Sequence, residues 1–264
     1  MTPQTPTRWF DTHVHLERYS QEEAAAMQVR ALAAGVAGML AVSTSLASSE
    51  RTIALPGSIA RAVGVHPTRS AEAVGGEWLA QLEQLTARPG VVAIGEAGFD
   101  DAGPDWTLQH VCFAGQVAIA TYLGLPLLLH IDGGRAWEQF VASQASSPPR
   151  RLVRHYFRGD MAQAEWHAAR GHFVSFGRPL LRDPALQRIA AAFPADLLLI
   201  ETDSYPLAGR RTEPKDLVPV GELLAHLRHW SIAECAARLW GNSVRALGFE
   251  ASHGNDRPGS EPLR

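Results

Sequence analysis

Two imidazoles stand two residues apart near the start of this 264-residue chain, in Asp11-Thr-His13-Val-His15. Alternate side chains of a strand point the same way, so residues 11, 13 and 15 share a face, and both rings can bind one metal ion. Glu96 ends the apolar run Val91–Glu96. A carboxylate there is costly to bury unpaired; a metal offsets that cost, and one carboxylate can bridge two metals. His130 follows Leu127-Leu-Leu, and His155 sits in Val153-Arg-His155-Tyr-Phe-Arg158-Gly159. Two histidines at equivalent strand ends read as further ligands. Asp203, in Glu201-Thr-Asp203-Ser-Tyr-Pro206, is placed both to bind metal and to take a proton from water. Glu201 is either the alternative base or the partner of a ligating histidine. The mixed nitrogen and oxygen donors suit Zn²⁺, Mn²⁺, Fe²⁺ or Co²⁺ better than Mg²⁺ alone. There are enough of them for two ions sharing Glu96, roughly 3.5–4 Å apart, the spacing that clamps a phosphodiester.

These residues need elements to hold them. Short apolar runs predict strands at Trp9–His15, Gly38–Ser43, Ala60–Val65, Val91–Glu96, Leu125–His130, Leu152–His155, His172–Ser175 and Leu197–Glu201. Runs such as Leu197-Leu198-Leu199-Ile200 mark strands buried on both faces, as in parallel sheets. Between them lie helical stretches at Gln21–Ala34, Ser48–Leu55, Glu77–Ala87, Trp106–Leu123, Arg135–Ser146, Met161–Arg170, Pro184–Phe193 and Asp216–His229, with a closing helix at Ile232–Leu247. Ser20 followed by Glu23 is a capping-box start for the first of them. Strict alternation of strand and helix predicts a single-domain α/β fold, the (β/α)₈ TIM barrel, over an open doubly wound sheet. In a barrel the ionisable residues at successive strand ends (Asp11, His13 and His15, then His66, Glu96, His130, His155 and Asp203) converge on one face.

Composition sets limits. With 46% hydrophobic and 19% charged residues the chain is globular. A net charge of −3 argues against broad coating of nucleic acid, although metals can supply local positive charge. Lys215 is the only lysine, in a polar Pro-flanked stretch, which leaves no ready lysine for a carbamate bridge between metals. Cys112 and Cys235 read as reduced core thiols. No apolar leader and no membrane-length apolar run is seen, and a cytoplasmic protein with no obligate protein partner is expected. The domain is expected over residues 1–250, and the Gly/Pro/Ser-rich stretch 251–264 reads as a disordered tail.

Asp11-Thr-His13-Val-His15, Gly64-Val-His66-Pro67, Ile94-Gly-Glu96-Ala-Gly-Phe-Asp100, Leu129-His130, His155-Tyr-Phe-Arg-Gly159 and Glu201-Thr-Asp203-Ser-Tyr-Pro-Leu207 together resemble the TatD-family metal-dependent hydrolases. Arg211-Thr-Glu213-Pro214 and Asn242 also look like that family's final segments, and the likeness runs from about Arg8 to Phe249. The resemblance implies a TIM barrel of the amidohydrolase superfamily and a divalent-metal-dependent DNase, with 3′→5′ exonuclease activity in some members. It implies one metal (Mg²⁺, Mn²⁺ or Zn²⁺) on His13, His15, Glu96 and Asp203, and a second on Glu96, His130 and His155. It also implies catalytic roles for Asp203, Glu96 and His66, with His66 contacting the scissile phosphate or the substrate. Arg158 and Glu201 are further candidate substrate contacts. The chain departs from the family where an arginine usually follows the fifth-strand histidine by two residues: Asp132 stands there, followed by Gly133-Gly134. Asp101 replaces a common aromatic, and His155-Tyr-Phe-Arg-Gly replaces His-Cys-Phe-Ser-Gly.

Three functions compete. A nuclease acting on DNA ends would use the arginines of the mouth loops (Arg69, Arg135, Arg158, Arg178, Arg210 and Arg211), with Tyr156 and Trp106 as stacking surfaces. A hydrolase of small amides, lactones or phosphoesters would use the same metals without the family arginine. A non-catalytic metal-binding scaffold is the third, against which the full ligand set speaks.

Overall fold

The computed structural model describes residues 7–144, 151–207 and 212–248. Eight parallel strands follow one another around a single sheet in chain order. They are β1 (Trp9–Val14), β2 (Val36–Val42), β3 (Ala60–Val63), β4 (Val91–Asp100), β5 (Leu127–Asp132), β6 (Leu152–Arg154), β7 (Phe173–Phe176) and β8 (Leu198–Ile200). The helices outside them are α1 (Gln21–Ala33), α2 (Leu46–Ile53), α3 (Glu77–Thr86), α4 (Trp106–Leu123), α5 (Gly134–Ser143), α6 (Met161–Ala168), α7 (Pro184–Ala192), α8 (Val218–Leu227) and α9 (Ile232–Leu247). The architecture is the (β/α)₈ barrel that the alternation predicts. Ser20 Oγ accepts the Glu23 amide at 3.2 Å at the start of α1. Among the described residues, no helix is long and apolar enough to cross a membrane.

Inside the barrel, Phe10, Leu40, Val42, Ala62, Ala93, Leu128, Val153 and Leu199 fill the layer farthest from the site. Between strands and helices lies a second, larger apolar shell that includes Val14, Leu16, Phe176 and Leu224 on one side and Leu82, Phe99, Phe113 and Phe140 on the other. Cys112 and Cys235 are both free thiols within it, as expected.

Strand boundaries shift where backbone demands outrun side-chain pattern. β4 runs four residues past its expected end at Glu96, because Gly98 lets β5 approach: a Cβ at Gly98 (φ 152°) would collide with the His130 carbonyl. The extension pairs Asp100 with Asp132. The expected helix at Asp216–His229 divides into a 3₁₀ turn, Pro214–Leu217, and α8. The expected end of α5 at Ser146, the mouth arginines Arg210 and Arg211, and the tail 251–264 lie outside the described residues.

The ring is closed at β1 and β8 by one isolated bridge, Val14 with Ser204, and by side chains. Asp11 accepts from the Thr202 amide (3.0 Å) and from its hydroxyl (2.6 Å). Thr12 Oγ1 donates to the Ile200 carbonyl at 3.0 Å. Asp11, one of the ionisable residues expected at the mouth, is thus fully buried and holds the seam.

A second buried polar pair sits behind β6 and β7. His167 and His172 face each other through Nδ1 at 3.1 Å among Trp137, Phe140 and Trp166. Burial, with Arg154 and Arg170 nearby, pulls His167 down to about 2; burial and Arg170 pull His172 down to about 4. Both are therefore neutral when folded and free to charge when unfolded. Their contribution is complete above pH 6.5 and is lost as pH falls through 6.5 toward 4 for His172 and toward 2 for His167, at about 1.4 kcal/mol per unit for each. Urea midpoints measured from pH 8 to pH 4 should fall below pH 6.5. In the His167→Phe/His172→Phe double variant that acid limb should flatten; an unchanged slope would remove these histidines from the account.

Candidate metal centre and its cavity

The C-terminal strand ends surround a cavity of about 530 Å³. His15, His66, Glu96, His130, His155 and Asp203 all line it, while His13 lies directly beneath and is fully buried. Every ligand candidate read from the sequence thus comes to one place. Glu96 is at the centre, 3% exposed. Its Oε1 lies 2.7 Å from His130 Nδ1 and 2.7 Å from His155 Nε2. Its Oε2 lies 3.5 Å from His15 Nε2 and 3.6 Å from His13 Nε2. The two rings of β1 turn their Nε2 atoms toward each other at 3.2 Å. Asp203 Oδ1 completes that group, 3.4 Å from His15 and 4.0 Å from His13.

Ring nitrogens and carboxylate oxygens in two tight groups are electron-rich atoms converging on common points. Such crowding is costly unless positive charge sits among them. The titration shifts point the same way. Burial opposes charge on His155 and His15, yet Glu96 and Glu201 bring His155 up to about 10, and Asp203, Glu17 and Glu96 bring His15 up to about 9. Burial would raise Glu96, but His155, His66, His13 and His130 hold it well below the carboxylate range. The donor set fits divalent metal: His13, His15 and Asp203 form one group of atoms within 4.8 Å of one another and Glu96, His130 and His155 another, and these overlap with His13, His155 and Glu201 and with His66, Asp100 and His130.

Local backbone aims these groups. His15 Nδ1 is bound to the Val42 carbonyl at 2.8 Å, which turns Nε2 inward. Asp203 takes a left-handed conformation (φ 49°) just past β8, where its amide donates to the His13 carbonyl at 3.0 Å. His66 opens the 3₁₀ turn Pro67–Ala73; its Nδ1 accepts the Thr68 amide at 3.2 Å, leaving the ring proton on Nε2, 3.6 Å from Glu96. Burial pulls His66 down to about 3, so it is a neutral N–H donor facing the cavity.

Glu201 departs from its expected substrate contact. It is fully buried and absent from the cavity wall. Its Oε1 accepts the Tyr156 amide at 2.6 Å and lies 3.4 Å from His155 Nδ1. Its neighbours are those of a partner for His155, the alternative reading of this residue, rather than of a group open to substrate. Asp100 was missed: its Oδ2 lies 3.1 Å from His130 Nε2. The signal was the two-residue alternation of Glu96, Gly98 and Asp100 along one strand, obscured when the strand is ended at Glu96.

Of the expected arginines, Arg69 and the exposed Arg158 line the cavity. Arg178 lies in a smaller neighbouring cavity and pairs with Asp216 at 3.2 Å. Arg135 lies over the Trp106 ring, and neither of these two lines the cavity around Glu96. Arg18, Arg51 and Arg154 line it unforeseen, and with Arg69 and Arg158 they make a basic wall in an acidic protein. Tyr156 and Tyr205 are its aromatic surfaces.

The departures at Asp101 and at Asp132-Gly133-Gly134 belong together. Asp101 Oδ1 accepts the Ala136 amide at 2.7 Å and so caps α5 from the neighbouring loop. Gly133 (φ 107°) is the N-cap position with no side chain of its own, and a Cβ there would strike the Asp101 carboxylate. Asp132 is exposed at the cavity rim. Gly133→Ala should therefore destabilise the protein by about 1–3 kcal/mol, from overpacking and an unfavourable φ. Thermal melts of Gly133→Ala and of Gly133→Ala/Asp101→Gly check this: the second change should recover part of the loss, and additive losses would uncouple the two positions.

Comparison with known proteins agrees with this geometry. The family profile described as TatD related DNase matches residues 10–248. An uncharacterized metal-dependent hydrolase TatD of Mycobacterium tuberculosis is 30% identical over 261 residues, covering 90% of this chain and 97% of its own. A 3'-5' ssDNA/RNA exonuclease TatD of Erwinia tasmaniensis is 33% identical over 236 residues, covering 82% of this chain and 90% of its own. The crystal structure of YJJV, a TatD homologue from Escherichia coli, superposes with a TM-score of 0.83 at 26% identity, over 93% of this chain and 100% of that one.

Proposed function

The chain belongs to the TatD related DNase family, and from that premise we propose that it is a divalent-metal-dependent hydrolase that removes nucleotides from the ends of DNA, as a 3′→5′ exonuclease. The observation that carries the reading is Glu96, whose two oxygens face two separate imidazole groups at the base of a cavity walled by Arg18, Arg51, Arg69, Arg154 and Arg158. His13, His15, Glu96 and Asp203 would hold one metal, and Glu96, His130 and His155 a second, with Mg²⁺, Mn²⁺ and Zn²⁺ the ions to try. Ions held there supply Lewis-acid polarisation of phosphoryl oxygen and lower the pKa of water.

The remaining chemistry falls to the chain's own groups. Asp203, lowered below its ordinary value by His15, His13 and His155 against the effect of burial, is an ionised acceptor for the proton of the attacking water. His66 keeps its proton and offers its Nε2–H as a hydrogen-bond donor to a phosphate oxygen, since the Thr68 amide occupies Nδ1. Glu201 keeps His155 oriented, and Asp100 does the same for His130. The arginine wall draws the polyanion in and outweighs Asp132 at the rim; this counters the small-amide or lactone reading that the missing family arginine raised. The free thiols Cys112 and Cys235 accord with a cytoplasmic setting.

The deciding test is end-labelled single-stranded DNA incubated with Mg²⁺, Mn²⁺ and Zn²⁺ in turn, beside Asp203→Ala. Shortening from the 3′ end is expected, with Asp203→Ala slowed roughly 10²–10⁴-fold, the range of a lost general base. Metal binding without cleavage under any ion would overturn the nuclease reading and return attention to small phosphoesters, lactones and amides. Separately, Glu96→Ala should lose both ions on dialysis, read by elemental analysis; retention of two would break the shared-carboxylate assignment.

A further inference from the structure

We infer that Arg154 is a positioning residue that sets the spacing of His130 and His155, and so governs the second metal alone; the inference rests on the two-metal reading above. The β5–β6 ladder pairs Leu127 with Leu152, Leu128 with Val153 and Leu129 with Arg154, and its last rung is the His155 amide on the Leu129 carbonyl at 3.2 Å. Beyond it the strand ends carry His130 and His155 with no further backbone pairing between them among the described residues. The Arg154 side chain takes over at that point. Its Nη1 donates to the His155 carbonyl, and its Nη2 donates to the Ile131 carbonyl at 2.7 Å. The guanidinium is thus an extra rung made of side chain, one residue past His130 on one strand and at His155 on the other.

The opposite edge of β5 needs no such device, because β4 stays in register with it to Asp100 and Asp132. His130 is therefore held by a ladder on one side and by Arg154 on the other. A planar fork offers two nitrogens, each with fixed donors, to two separate carbonyls, whereas an ammonium must reach both from a single nitrogen. The position is unusual for a cation. Arg154 is 5% exposed, has no carboxylate within 4.0 Å among the described residues, and answers only to the more distant Glu201, Asp132 and Glu96. An apolar side chain would fill the same space at lower desolvation cost. Its carbonyl contacts both bear on one ligand pair. The first pair is held by other means, His15 through Val42 and Asp203 through His13.

The test is metal occupancy. Apo wild type, Arg154→Leu and Arg154→Lys are equilibrated with Mn²⁺ at fixed free concentrations. Stoichiometry is read by equilibrium dialysis and the two positions by anomalous scattering. Arg154→Leu should bind the ion at Glu96, His130 and His155 roughly ten- to a hundredfold more weakly, the effect typical of losing a group that orients a ligand. The ion at His13, His15 and Asp203 should be unchanged, and Arg154→Lys should fall between. Equal occupancy of both positions in Arg154→Leu, with only a lowered Tm, overturns the inference, as does a loss spread evenly over both. If Arg154→Leu does not fold, Arg154→Lys carries the test by the same selective loss. A wild type that binds fewer than two ions overturns the two-metal reading itself, a result distinct from either variant's.

Discussion

One carboxylate shared between two pairs of imidazoles is the constraint on which this structure turns. Glu96 must lie within reach of β1 on one side and of β5 and β6 on the other. Only a closed ring of strands brings those three ends together around a fourth. The glycine-dependent approach of β5 to β4, the left-handed turn at Asp203 and the anchoring of His15 to Val42 all serve that placement. Four imidazoles and two carboxylates (His13, His15, His130 and His155 with Glu96 and Asp203) in so small a volume would repel or demand protons by themselves. Their neighbours are arranged instead so that each presents a defined atom inward.

The orienting groups form a layer of their own. Glu201 stands behind His155, Asp100 behind His130 and the Val42 carbonyl behind His15. Arg154 works from the main chain of both His155 and Ile131. Asp11 is equally buried yet serves the wall of the barrel, tying β1 to Thr202. Buried acids near the cluster thus divide between those beside its imidazoles and one that holds the barrel seam, and position in the sequence alone does not separate the two.

Much of this was legible in the chain. The alternation of apolar runs with amphipathic stretches pointed to a parallel sheet covered on both faces, and the count of eight strands favoured closure into a barrel over an open doubly wound sheet. The clustering of the candidate ligands was legible because each ends a strand, and in a barrel such ends meet. What escaped was whatever depends on three-dimensional company. Arg154 reads as an ordinary polar residue beside a histidine until the divergence of β5 and β6 is seen. Glu201 reads as a mouth residue because a strand end does not say how deep the strand stops. Asp101 and Gly133 looked like two unrelated departures, 32 positions apart, until the cap joined them. Arg18 and Arg51 join the basic wall through loops whose course no local pattern encodes.

The seam between the first and last strands has a consequence for how the protein is made. His130 lies 34 positions from Glu96 and 25 from His155, so that ligand group can assemble within a contiguous part of the barrel. Asp11 and Thr202 are separated by 191 positions, and His13 and His15 meet Asp203 only when that span is closed. Contacts of such long sequence separation form late, since the entropy of closing the intervening loop must be overcome before they return anything. The cluster around Glu96, His130 and His155 is therefore built from nearer neighbours in sequence than the one around His13, His15 and Asp203. Assembly of the latter cluster is thereby coupled to closure of the ring: Asp203 comes within reach of His13 and His15 only with the last strand.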